Sequence, residues 1–529
     1  MRVRSFQRST GAMAGLLLLA APALAQEPLF EPGPVWTHAP PFPALPRSLA
    51  FVGPDHLWEA GSGASPSLTL LATGRGAAVE LAALDPTWLA GASGPVEVAA
   101  GPTLDDTYVL AQIVTPVPGE RLVRVLAVDP TPHSPEAPLR PRWVHDLDPT
   151  NGPAHLALAA DGSTLLAGAH DARSLSTRVR RLDPATGSVE WERSWRSGGL
   201  VGPLVSHAGQ RVLLATGVEV ELLDASGVAI WTRVQSSMTT ALALSADGAS
   251  WAHGEKNRVL VWSAADASAG PRLELVGRDG ELPVRTVLDP AGASVAVAWW
   301  SSLDATAVRL EWRATSDGAL LAASSQEGSP TGVQNFPAAL AMSPDGSRVA
   351  LGLWGADDAR PELLVHVRGE PFPRLAEDLG ASVETLAIAP RSHRVAMARR
   401  ADHANRLSLG GETRLLESDA RDLVLRGAPR LGGAIDAVLA ADAVDGAAWL
   451  LIGAPRAVPV ATPLGWLALE RRPAPLRFPM LRTAPESFEV RVSVPPAPEL
   501  LGLEVALQAV RLGAPGPRLS SDAPGVVLF

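Results

Sequence analysis

Leu340-Ala-Met-Ser-Pro-Asp345-Gly346-Ser-Arg-Val-Ala-Leu-Gly352 reads as an apolar strand, a tight turn and a second apolar strand closing on glycine. An Asp-Gly pair suits a tight hairpin turn, because glycine takes positive φ without a steric penalty. The unit stands earlier as Leu156-Ala-Leu-Ala-Ala-Asp161-Gly162-Ser-Thr-Leu-Leu-Ala-Gly168 and again as Ala241-Leu-Ala-Leu-Ser-Ala-Asp247-Gly248-Ala-Ser-Trp-Ala-His-Gly254. In all three the closing glycine falls at the same offset from the aspartate. A supersecondary unit recurring at this length predicts a repeat architecture, and a β-propeller before anything else.

Working outward, comparable turns fall at Pro54-Asp55, Asp105-Asp106, Ala208-Gly209, Ala291-Gly292 and Arg391-Ser392. Their spacing varies around the roughly 40–50 residues of a four-stranded blade. Residues 46–422 therefore hold about eight blades, with seven as the alternative because the first two units are the least regular. Apolar runs such as Val212-Leu-Leu-Ala and Val295-Ala-Val-Ala-Trp-Trp300 suit strands buried on both faces between neighbours. No unit can bury its faces alone, and a closed ring solves this while leaving only short edges.

Two resemblances follow. Leu340 to Gly352, with Ser343-Pro344-Asp345-Gly346, resembles the first two strands of a WD-repeat blade, and Asn257-Arg-Val-Leu-Val-Trp262 resembles its third. Arg181-Leu-Asp183-Pro-Ala-Thr-Gly187-Ser-Val-Glu-Trp191 and Leu223-Asp224-Ala-Ser-Gly227-Val-Ala-Ile-Trp231 resemble the blade motif of pyrroloquinoline-quinone-type propellers. That second resemblance implies tryptophans docked between blades. Both are specific for architecture and silent on activity, since propellers host many unrelated functions.

After Asp422 the rhythm changes. Residues 423–529 run as short strands broken by Pro and Gly, including Trp449-Leu-Leu-Ile-Gly453, Gly465-Trp-Leu-Ala-Leu469 and Phe488-Glu-Val-Arg-Val-Ser-Val494. They predict a small β-sandwich with turns at Pro495-Pro496 and Pro515-Gly516-Pro517. Pro498 to Val510 and the terminal strand resemble the C-terminal module of exported planctomycete proteins.

The other end predicts export. Arg2, Arg4 and Arg8 precede the apolar Leu16 to Ala21, and Ala23-Leu24-Ala25 supplies a small-x-small cleavage pattern, so 1–25 reads as a signal peptide and Gln26 as the mature start. Residues 26–45 read as a linker. The chain is expected to be periplasmic or extracellular, without a membrane span and monomeric. It has no cysteine, which removes disulfides, thiolate metal sites and a cysteine nucleophile. The 45 cationic side chains become 42 without the leader, against 55 acids, and the only lysine is Lys256. No long basic run remains, which argues against nucleic acid as a partner.

Chemistry-bearing constellations are sparse. Trp191, Trp231, Trp262 and Trp312 sit where blade packing needs bulk, whereas Trp354 and Trp88 lie nearer loops and are the surface candidates. His170-Asp171 and His253-Gly-Glu255 follow second strands at different offsets. They lack any short metal-ligand spacing, so the histidines read as solvated loop residues. Asp105-Asp106 and Asp357-Asp358 lack the spaced ligand pattern of a calcium loop and read as turns. No Gly-x-Ser-x-Gly elbow exists. The terminal Phe529 is not enough for an outer-membrane barrel, whose strands need a lipid-facing stripe throughout. No catalytic, cofactor-binding or metal-binding residue is assigned and no cofactor is expected. The function expected is an exported, non-catalytic propeller that presents its channel to a protein, peptide or glycan. The alternative is a propeller enzyme of lactonase, lyase or quinoprotein type. Polar residues from three or more blades converging at one channel mouth would favour the enzyme, and an alanine-, valine- and serine-lined channel the binding module.

Overall fold

The computed structural model describes residues 33–527 apart from 41–44, 53–55, 63–65, 73–77, 115–120, 130–137, 148–151, 197, 266, 305–306, 327–333, 356–359, 371–372, 390–393, 404–409, 419–422, 427–430, 441–444, 463–464, 470–474, 485–486, 501–503, 514–516 and 520–524. The expected leader, the turns at Pro54-Asp55 and Arg391-Ser392, the pair Asp357-Asp358 and the terminal Phe529 lie outside the described residues.

The repeated strand–turn–strand unit is the inner half of a four-stranded antiparallel sheet. In the third blade, Ala154–Leu158, Leu165–Asp171, Ser176–Leu182 and Val189–Arg196 pair in chain order. The same order repeats over 45–83, 92–147, 201–234, 239–276, 281–326 and 337–377. An eighth blade is built from Val383–Ile388, Arg394–Arg400 and Gly411–Glu417, with Gly33–His38 as its outermost strand. The first strand of every blade packs against that of the next, and the eighth against the first. The molecule is thus an all-β propeller of eight blades closed into a ring, followed by a second β domain.

Closure corrects one expectation. The stretch 26–45 is not simply a linker, because Gly33–His38 pairs antiparallel with Gly411–Glu417. This short strand has neither an Asp-Gly turn nor a neighbouring partner in the sequence. Its pairing is purely long-range, so local pattern could not reveal it.

Burial follows the radial position of each strand. Second strands such as Ser250–Glu255 and Arg348–Leu353 are buried at every residue, because both faces meet neighbouring blades. The outermost strand Val189–Arg196 alternates between exposed and half-buried. Trp58, Trp251, Trp299 and Trp312 are completely buried. The outer-strand tryptophans bridge blades. Trp191 Nε1 donates to Ala225 O of the fourth blade at 3.0 Å, and its ring lies where a side chain on Gly227 would stand. Trp143 repeats the contact on Pro184 O of the third blade at 3.0 Å.

The turns between first and second strands couple blade to blade. Asp161 N donates to His207 O (3.2 Å), His207 N to Ala246 O (2.6 Å) and Ala246 N to Pro290 O (2.9 Å), a main-chain relay across four blades. Gly248 and Gly346 take φ +68° and +65°, in the left-handed region that penalises side chains. A Cβ at Gly346 would also come within 2.9 Å of Asp289 Cβ in the preceding blade. Glycine is needed there for its backbone and for the close approach of two blades. Within the turn, Ser343 Oγ, Ser347 N and Ser347 Oγ donate to Asp345. Although burial opposes it, these bonds hold the Asp345 carboxyl at about 2. Asp105 and Asp106 likewise belong to a short 3-10 turn, in which Thr103 Oγ1 donates to Asp106 at 2.7 Å.

The second domain folds around one core that includes Leu439, Leu450, Phe478, Phe488 and Leu507. Its strands form a continuous sheet in which Leu476–Ala484 pairs with Asp445–Gly453 on one side and Ser487–Ser493 on the other. That shared strand carries the sheet round the core, with a register shift between Arg482 and Ala484 at the bend. One hairpin leaves this sheet. Pro455–Thr462 lies parallel to Leu320–Gln326, the outermost strand of the sixth blade, with Ser325 opposite Val460, and Gly465–Leu469 pairs outside it.

Candidate functional site

The eight first strands form the wall of the channel. Seven of them carry a β-bulge near their beginning, in the first, second, fourth, fifth, sixth, seventh and eighth blades. A bulge leaves one residue unpaired and re-aims its side chain. In adjacent blades the bulge residues include Glu384 (eighth) and Arg47 (first), and these two form an ion pair. Arg400, at the end of the eighth blade's second strand, pairs with the other oxygen of Glu384.

The neighbouring junctions are tied the same way. Ser48 Oγ accepts from Val98 N at 3.1 Å, joining the first and second blades. Glu97 accepts from Leu156 N at 3.0 Å and meets His155 Nδ1 at 3.2 Å, joining the second and third. Glu281 accepts Nε and Nη2 of Arg309 within the sixth blade. Arg285 differs. It is exposed on a first strand, donates from Nε to Ala338 O of the seventh blade at 3.0 Å and from Nη1 to Val284 O at 2.9 Å, and pairs with no carboxylate among the described residues. Desolvation by the surrounding wall holds its pKa below the usual guanidinium value, with no acid acting against it.

An aromatic row stands at the same end of the ring, one strand further out. Trp300 and Phe336 meet edge to face at 5.5 Å between centroids, and Phe336 and Trp354 lie 5.1 Å apart. All three are half-buried. Asn335, fully buried, organises them. Its Oδ1 accepts from Phe336 N (2.9 Å) and Gly355 N (3.0 Å), its Nδ2 donates to Gln326 (2.8 Å), and its carbonyl accepts from Trp300 Nε1 (2.8 Å). Trp354, expected near a loop, belongs to this row. Trp88 sits in the 3-10 turn Pro86–Leu89 and packs against the core of the first two blades. Asn335 had no signal in the sequence, because its partners other than Phe336 lie 9 to 35 residues away.

The two histidines expected in solvated loops are corrected. His170 is buried within Leu165–Asp171, with Nδ1 2.9 Å from Thr177 Oγ1. His253 is fully buried within Ser250–Glu255, its ring stacked on Trp262 at 6.1 Å and tilted against Trp231 at 6.2 Å. Desolvation, aided by the Arg233 charge, pushes His253 down to about 4. The physical reason is that both histidines lie inside second strands, whose faces meet neighbouring blades, so a polar residue near a strand end does not mark a loop. Both residues contact blade-packing groups. Among the described residues no cluster of three or more His, Asp or Glu side chains could hold a metal ion.

Known proteins give the fold a comparison. No protein-family model matches the chain, and no curated protein does. Among solved structures, the chain is similar to the β-propeller domain of Cps50 (Swd1) from Myceliophteria thermophila, with 14% identity, a TM-score of 0.40, and 60% of this chain covered against 95% of that one. It is also similar to Sqt1 of Chaetomium thermophilum, solved bound to the N-terminus of ribosomal protein L10, with 17% identity, a TM-score of 0.42, and 58% of this chain covered against 81% of that one.

Proposed function

We propose that the chain is an exported, non-catalytic binding scaffold that receives its partner at the channel mouth where the first strands begin. One observation carries the reading. Most charged groups on the channel wall are satisfied by a neighbouring strand or blade, as in Arg47–Glu384–Arg400 and Glu97–His155, and do not converge on a shared point. Catalysis at a propeller mouth needs acid, base and electrophile aimed at one reacting atom. The rest of the wall is built from alanine, leucine, valine and threonine, as in Pro337–Met342 and Thr239–Leu244.

Site-specific photo-crosslinking tests this. A crosslinker at Thr240 or Thr385, on the wall, is expected to give discrete protein adducts in envelope extracts of an exporting host. One at Glu192, on an outer strand, is expected to give none. Equal labelling from all three positions overturns the reading. Export is checked separately by N-terminal sequencing of the secreted chain, expected to begin at Gln26, and an intact Met1 overturns it.

A further inference from the structure

The channel wall has two unlike halves. Blades one, two, three and eight contribute Arg47, Glu97, His155 and Glu384 to it, all paired. The first strands of blades four, five and seven carry no charged residue, reading Val-Gly-Pro-Leu-Val, Thr-Thr-Ala-Leu-Ala-Leu and Pro-Ala-Ala-Leu-Ala-Met. Blade six adds Glu281, buried on Arg309, and Arg285. Arg285 is therefore the one cationic residue on the first strands of these four blades, whose Leu204, Leu242, Val287 and Leu340 are half-buried against the cores between blades.

The chemistry of that half defines its ligand. A guanidinium stays charged at any physiological pH and matches a carboxylate bidentately. Arg285 spends Nε and Nη1 on carbonyls that fix its direction, which leaves Nη2 and the second Nη1 proton for an anion. A small inorganic anion would leave the aliphatic wall unused. A sugar would need an aromatic face for stacking, and these four strands contain no aromatic residue. First strands are also the inner edges of their sheets, so their backbone groups on the channel side are open to an extended chain. Building on the scaffold reading above, we propose that this half-channel takes an extended peptide in which a carboxylate, terminal or in a side chain, sits among aliphatic residues and pairs with Arg285.

Fluorescence anisotropy of the mature full chain decides it, with four labelled peptides of one Leu/Ala/Ser sequence. The first has a free C-terminal carboxylate, the second is amidated with one internal Glu, the third is amidated with Gln in its place, and the fourth is amidated with Lys. At least one carboxylate peptide should bind about tenfold more tightly than the Gln and Lys peptides, and the first two arms tell a terminal from a side-chain acid. Arg285→Gln should abolish that difference while Arg285→Lys keeps part of it, with melting unchanged in both. Equal binding of the Gln peptide, an unaltered preference in Arg285→Gln, or no binding of any peptide up to about 1 mM overturns the proposal. Adducts from Thr240 and Thr385 alongside a failed peptide panel would sink the carboxylate ligand and leave the scaffold reading standing.

Discussion

Single residues hold neighbouring blades at fixed distance. Gly346 does so by lacking a side chain. Gly346→Val meets both a left-handed backbone and the Asp289 Cβ, and is expected to cost about 1–3 kcal/mol in chemical denaturation, with Gly248→Val similar. A melt identical to wild type would show that the turn is built otherwise. Ser294 works by sharing its hydroxyl. It accepts from Trp312 Nε1 (3.0 Å) and Arg368 Nη2 (2.9 Å) and donates to Asp289 (2.8 Å). Ser294→Ala leaves a buried indole N–H without a partner and removes one of the two donors to Asp289 Oδ2, so a loss of about 1–3 kcal/mol is expected. The double variant with Trp312→Phe should lose less than the two single losses combined, a cycle read from the same denaturation curves. The glycine turns were legible because Asp-Gly is a local signal. The Ser294 network was not, since Arg368 arrives from the next blade and nothing near Ser294 announces it.

Among elements, the closing strand has its own electrostatic latch. His38, at the end of Gly33–His38, meets two carboxylates of the first blade, the fully buried Glu59 (3.0 Å) and the exposed Glu80 (2.8 Å). The hydrogen bond to Glu59, then its charge, overcomes desolvation and raises His38 to about 9. A raised histidine stabilises the fold fully below its unfolded value near 6.5, and that contribution fades as pH climbs towards 9. His253 and His366 act in the opposite sense. Burial holds both at about 4, so protonation of the unfolded chain drains stability as pH falls from 6.5 towards 4. The stability profile should therefore peak near neutrality. In His38→Gln the alkaline decline should flatten while the acid decline stays, and an unchanged alkaline limb would show that the latch contributes nothing. None of this was readable in the sequence, because His38 reaches Glu59 only through the long-range pairing of its strand with Gly411–Glu417.

At the scale of the whole molecule, the ring needs residues 33–38 and not those after 422 to complete its blades. A chain from 26 to 422 should fold cooperatively. It should also self-associate, because it uncovers Leu320–Gln326, whose last five residues are buried in the full chain beside the hairpin 455–469. A chain lacking residues 26–44 should melt lower and over a broader range. Light scattering and thermal melts of the two fragments check both, and the reverse pattern would show that the second domain closes the ring. The propeller and its eight blades were legible because each blade repeats one local rhythm. The closing strand and the docked hairpin were not, since each is a single pairing between distant segments. The channel site was not legible, because Arg285 and the aliphatic first strands around it belong to separate blades.

The pairing of Gly33–His38 with Gly411–Glu417 also sets an order of events. Of the described strands this one is made first and finds its mate last, since its partner is made almost four hundred residues later. Until then the seven earlier sheets can form only an open arc whose two ends have nothing to rest on. Contacts of such long sequence separation are slow to form. If the chain is exported unfolded, as the proposed function holds, that delay keeps it threadable until its whole length has passed.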